Sequence, residues 1–152
     1  MSGAFITSEF EGLRPVLDRM NALANPRLAG EGLAQLGGLV ENQTKARFDE
    51  RRSPEGEAWA AWSPGYAKDR KKGQSLLVAS GGYRDSFAWD LTGDSLRVGS
   101  PMIFAALHQF GGTDDMAPGP AAVPARPVLG VSPENAVEIE EAMAGWIESV
   151  LQ

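Results

Sequence analysis

Residues 83–99 read YRDSFAWDLTGDSLRVG. Two stretches that read as strands, 83–90 and 95–99, flank a Thr92-Gly93-Asp94 cluster, so they are expected to pair across a turn at 91–94. An antiparallel hairpin then sits inside a chain whose other long patterns are helical. That combination defines an α+β protein, with helices segregated against a small, mainly antiparallel sheet.

Upstream of the hairpin, residues 75–79 predict a short helix before Ser80-Gly81-Gly82. Residues 53–73, SPEGEAWAAWSPGYAKDRKKG, hold two Ser-Pro pairs and a charged cluster and read as a long ordered loop; loops of that length are usually functional. A helix is predicted from about 28 to 52, with a stripe at Leu33, Leu36, Val40, Thr44 and Phe48. Gly30, Gly32, Gly37 and Gly38 weaken its first half, so either they permit close packing or the helix starts late. Nearer the N-terminus, residues 3–10 predict a short strand. Leu13, Val16, Leu17, Met20 and Leu23 then predict an amphipathic helix that ends at Asn25-Pro26.

Downstream, 101–110 (PMIFAALHQF) predicts a short helix between Pro101 and Gly111-Gly112. Residues 113–127, TDDMAPGPAAVPARP, carry four prolines and predict an extended arm, followed by a short strand at 128–131. The last helix has Ser132 as N-cap, Pro133 at its first position, and a stripe of Val137, Ile139, Met143, Trp146, Ile147 and Val150. Its other face carries Glu134, Glu138, Glu140, Glu141 and Glu148. At 152 residues the whole chain is expected to be one domain, 1–152, with the sheet packed between the N-terminal helices and this C-terminal one.

Composition narrows function. Fourteen Lys and Arg against 20 Asp and Glu leave a net charge of −6, which argues against wholesale binding of nucleic acid or anionic membrane. There is no Cys and a single His, so no disulfide or thiolate chemistry is available and a zinc site would need three carboxylates or a second chain. No phosphate-cradling Gly-Lys-Ser/Thr turn, GxGxxG motif or G-x-S-x-G elbow occurs. No cofactor, metal or catalytic residue is assigned, and the protein is not expected to be an enzyme. The N-terminus lacks a basic region followed by an apolar stretch, and no apolar run approaches a spanning length, so neither a signal peptide nor a membrane segment is expected.

Several residues bear alternative readings. Trp59 and Trp62 either pin the long loop to the core or form a contact patch with Tyr66. Lys68, Arg70, Lys71 and Lys72 are either a solvated loop tip or a contact for a phosphate or an acidic partner. His108 is read as a core or interface histidine with one ring nitrogen hydrogen-bonded. Arg126, held between Pro124 and Pro127, is set to meet carboxylates of its own or an adjacent subunit, the acidic last helix offering partners.

Four patterns, in order, carry a resemblance: Pro54-Glu55-Gly56 with Trp59; Leu77 to Phe87 (LVASGGYRDSF); Val98-Gly99-Ser100 leading to Phe104 through Gly111 (FAALHQFG); and Val123 through Ser132 (VPARPVLGVS). The series resembles the phage virion morphogenesis family, the tail-completion and head-tail joining proteins of tailed phages, over about residues 28–151. Phe104 stands where that pattern often has Tyr, and Tyr83 where it often has Leu; the segment between Gly112 and Val123 varies in length in such families.

The resemblance implies a structural virion protein at the head-tail junction or upper tail end, a tail-completion or terminator subunit, with a head-side connector or stopper ring as the alternative. A small-molecule-binding or enzymatic α+β domain is the reading from a different class. The implied partners are further copies of the chain in a homo-hexameric ring, the tail tube protein, connector or neck proteins, and genomic DNA passing without sequence preference. The implied location is the tail or neck of the virion, after assembly in the host cytoplasm. A closed heterologous ring needs two complementary surfaces per subunit. One candidate is Trp59, Trp62 and Tyr66 with Arg70 and Lys71; the other is the His108–Arg126 segment, which includes Gln109.

Overall fold

A 25-residue helix, α1 (Pro26–Glu50), organises the molecule in the computed structural model, which describes residues 4–6, 26–93, 95–113, 115 and 122–151. Among those residues the order is β1 (Ala4–Ile6), α1, α2 (Pro64–Asp69), α3 (Gly82–Asp85), β2 (Ala88–Thr92), β3 (Ser95–Ser100), α4 (Ala105–Phe110) and α5 (Pro133–Leu151). The strands form one antiparallel sheet in the order β1-β3-β2, with Ile6 opposite Val98 and Trp89 also opposite Val98 from the other side. The α+β class and the antiparallel sheet stand as read from the sequence. The amphipathic pattern at 13–23 lies outside the described residues.

The stripe on α1 is buried as its spacing requires: Leu33, Leu36, Val40, Thr44 and Phe48 all face inward. Sheet and C-terminal helix pack against it, and the glycines permit that approach. A Cβ on Gly37 would lie 2.3 Å from the Trp89 ring, and one on Gly32 would lie 3.0 Å from Trp146. The helix therefore runs through its glycines because two indoles need the space.

The first strand of the hairpin starts later than expected, at Ala88 and not Tyr83. Gly81, at φ +87, turns the chain into α3, and Tyr83 and Phe87, four residues apart, bury together with ring centroids 5.2 Å apart. Strand geometry would have put Asp85 on the same face as both rings; one helical turn lets the aromatics reach Phe48 while Asp85 stays outside.

Three other segments differ from expectation. Residues 75–79 are a tight turn closed by Ser75 and Val78, with Leu77 at φ +59, and not a helix. The long loop contains α2, started by Pro64 and capped by the Ser63 hydroxyl, which accepts from the Tyr66 N–H. Residues 128–131 form no strand: the chain bends at Leu129 and Gly130, and the segment pairs with no strand among the described residues. Side chains replace the missing neighbour: Gln109 Oε1 accepts from the N–H groups of Val128 and Leu129, Gln109 Nε2 donates to Leu129 O, and Arg47 Nη1 donates to Val128 O. The buried backbone is thereby satisfied without a ladder.

Helix α5 begins as read, the Asn135 N–H donating to Ser132 Oγ at 3.0 Å. Ile139, Met143 and Trp146 are buried, whereas Val137 is 52% exposed. At 3.6 residues per turn Val137 lies about 160° around the helix from Ile139, on the carboxylate face.

Candidate functional site

The recognisable motifs place Trp59, Tyr83, Phe87, Arg126 and Val128 inside, while Phe104 and Phe110 stay exposed. Pro54 packs beneath Gly130, whose Cβ would lie 2.6 Å from Pro54 Cγ and whose φ of +152 also favours glycine. Trp59 is buried edge-on against Phe48, and its indole N–H donates to Pro127 O at 2.9 Å. Arg126 is buried, with Nε donating to Ala60 O at 2.8 Å and Nη2 to Ala61 O at 3.0 Å. The expectation that Arg126 meets a carboxylate is corrected: both donors go to backbone carbonyls, in a stretch that forms neither helix nor strand. Trp59 and Arg126 thus clamp the start of the long loop to the end of the Pro-rich stretch.

That stretch is tied at both ends. Gly112 N–H donates to Val123 O at 2.9 Å and Arg126 N–H to His108 O at 2.7 Å, which joins the end of α4 to residues 123–126. Gly111, at φ +80, makes the turn, and a Cβ there would sit 3.1 Å from Ala125 N. Of the arm predicted at 113–127, residues 114 and 116–121 lie outside the described residues.

Outside the clamp the loop faces solvent. Trp62 is half-buried, with Tyr66 beside it at 6.0 Å between centroids and the Arg70 guanidinium 4.3 Å from the Trp62 ring centroid. Arg70 also donates to Gln74 O, and the Lys71 side chain is exposed. The two tryptophans therefore divide the two readings: Trp59 pins the loop, and Trp62 lies in a surface patch.

Between this patch and the core lies a cleft of about 650 Å³, walled by Trp62, Tyr66, Leu77, Val78, Tyr83, Phe104, His108 and Val123. His108 is half-buried between Tyr83 and Phe104, at 5.5 and 5.7 Å between centroids. Its Nδ1 is shielded from water and has no hydrogen-bond partner among the described residues. Burial, with the Arg126 charge nearby, pushes the imidazole pKa down, so the ring is neutral at pH 7. Burial pushes the Tyr83 phenol up to about 12. The Ser86 hydroxyl donates to Tyr83 O and contacts the Ser100 hydroxyl.

Of the eight candidate contact residues, the structure gathers Trp62, Tyr66, Arg70 and Lys71 on one surface. Trp59, Gln109 and Arg126 are turned inward, and His108 lines the cleft. Sequence reasoning missed two structural side chains, Arg47 and Gln43. Arg47 is buried and joins Val128 O to Asn135 Oδ1, and Gln43 Nε2 donates to Glu138 at 2.6 Å. Burial lowers the Arg47 pKa, though nearby Glu50 and Glu55 oppose the shift. Gln43 falls seven positions after Leu36 and Arg47 seven after Val40, both stripe residues, and that spacing was the available signal.

Among the described residues no three His, Asp or Glu side chains stand together as a metal site, and no helix is long and apolar enough to cross a membrane. The sequence pattern of the phage virion morphogenesis family matches residues 9–148, which takes in N-terminal residues that the four motifs leave out. The chain is also similar to "Putative capsid assembly protein G" of Escherichia phage Mu, 36% identical over 116 residues that make up 73% of this chain and 74% of that protein. No solved structure matches the chain. A family pattern spanning nearly all of the described fold, together with a phage relative of similar length, places the function in particle assembly: the chain belongs to the phage virion morphogenesis family.

Proposed function

We propose that the protein is a ring-forming structural subunit of the head-tail junction or upper tail end, acting in tail completion by assembly and not by turnover. The family match across residues 9–148 carries this reading. The geometry supports it, because the motif residues serve to brace a long loop against the core and leave an aromatic and cationic patch facing outward. A subunit that must present a defined contact surface needs such bracing, since a loop free to reorganise would lose binding free energy on ordering. Its partners are further copies of itself, the tail tube protein and neck or connector proteins, with the mature location in the tail or neck of the particle.

Six copies at −6 each carry −36, which keeps a passing DNA backbone from adhering to the channel. A bore lined by basic residues would contradict that part of the reading. A second reading, a head-side connector, is favoured by the name of the phage Mu relative, a capsid assembly protein. Deleting the gene from the phage or prophage that carries it separates the two. Full heads beside unjoined or overlong tails mark tail completion; tails of normal length and finish beside heads that leak DNA mark the head-side connector.

A further inference from the structure

We propose that the Trp62–Lys72 surface of one subunit receives the carboxylate face of α5 from a second copy, head to tail. This rests on the ring-forming reading above and assigns its contact. Helix α5 places Glu134, Val137, Glu138 and Glu141 at i, i+3, i+4 and i+7, on a single exposed face at whose edge Glu138 accepts from Gln43 of α1. Val137 is 52% exposed in the middle of those carboxylates. Glu134 and Glu141 have no cation within ion-pair distance among the described residues.

The receiving surface is the complement of that face. Tyr66 is 52% exposed beside half-buried Trp62 at the mouth of the cleft, giving an apolar seat for one branched side chain. The Arg70 guanidinium lies over the Trp62 ring, and Lys68, Lys71 and Lys72 follow in the same exposed run, which a single carboxylate, Asp69, interrupts; none of the four cations is paired with a carboxylate among the described residues. An apolar knob flanked by carboxylates thus matches an apolar seat beside a predominantly cationic run. The two surfaces lie on separate elements, as a heterologous contact that closes into a ring requires. Opposite charge also suppresses the competing head-to-head pairing, in which like patches would meet.

Two charge-reversed variants test this. Arg70→Glu/Lys71→Glu and Glu134→Lys/Glu141→Lys change only exposed side chains, and circular dichroism establishes that each is folded. Each alone should need at least tenfold more protein to assemble than the wild type, while an equimolar mixture should assemble again, because alternating subunits restore opposite charges at every contact. Since the natural chain has no Cys, Tyr66→Cys/Val137→Cys under oxidised glutathione should in addition give a ladder of covalent oligomers that neither single variant gives.

Rings that form normally from each reversed variant, or wild-type rings whose double-Cys form gives no ladder, would overturn this contact and leave the ring reading standing. A chain that stays monomeric at every concentration, with no ladder, would overturn both.

Discussion

Gly37 and Gly38 are neighbours in α1, and replacing each by Ala should move stability in opposite directions. In a helix interior Ala is favoured over Gly by about 1 kcal/mol. Gly38 has nothing within 4 Å of the position a methyl would take, so Gly38→Ala should stabilise by about 0.5–1 kcal/mol. At Gly37 the added carbon would lie 2.3, 2.5 and 2.7 Å from three atoms of the Trp89 indole, far inside contact distance. Either the indole or the sheet must shift, and overpacking of this kind costs about 1–3 kcal/mol.

After the helix-propensity gain of about 1 kcal/mol, Gly37→Ala should lose up to about 2 kcal/mol, and the pair of variants should differ by about 0.5–3 kcal/mol. In a domain of this size each kcal/mol shifts the Tm by about 2–4 °C, so the two melting curves should bracket the wild type. Urea denaturation at constant m-value would give the same order. If Gly37→Ala melts at or above the wild type, the close approach of α1 to β2 is wrong, and with it the placement of the sheet.

His108 is the chain's single histidine, so its titration can be isolated. Its pKa is lowered in the folded state, so its stabilising contribution is complete above the unfolded value of about 6.5 and is lost as pH falls through that value towards the folded one; urea midpoints measured between pH 7.5 and 5.5 should fall, and His108→Gln should remove most of that slope. Arg126→Met leaves the carbonyls of Ala60 and Ala61 without their donors and should cost about 1–3 kcal/mol by denaturant titration. Arg126→Lys should recover only part, since an ammonium cannot reproduce the two-pronged donation. Gln109→Glu keeps the acceptors for Val128 and Leu129 N–H but sets a carboxylate oxygen against Leu129 O, and it should destabilise by about 1–3 kcal/mol at pH 7, less at low pH where the carboxyl can donate.

Long periodic stretches were legible because their burial follows a single spacing. The stripe on α1 and the Ser132-Pro133 start of α5 could be read residue by residue. Short segments were not, because tertiary contacts outweigh local preference there. Tyr83 and Phe87 fit either period in isolation, and only Phe48, thirty-five residues upstream of Tyr83, decides for a helical turn. Residues 128–131 look like a strand, yet Gln109 and Arg47 take the place of its partner, and nothing in the local sequence announces that.

Arg126 shows the limit most plainly. Its type and its flanking prolines suggested an ionic contact within its own subunit or with an adjacent one, whereas the fold uses it to hold two carbonyls of a distant loop. Trp59 and Trp62 are indistinguishable by composition and spacing, and only the position of Pro127 O separates an anchor from a surface residue. The resemblance to the family was carried by motifs whose residues are largely bracing. It was therefore sound for identity and silent about which surface makes the contact.

The central claim is that the protein completes the tail as a ring. Light scattering with negative-stain imaging of the purified chain, with and without isolated tail tubes, tests it most directly. The account predicts rings of about 97 kDa, six subunits of 16.2 kDa, seated on tube ends. A 16.2 kDa monomer at every concentration that leaves tube ends bare would contradict it.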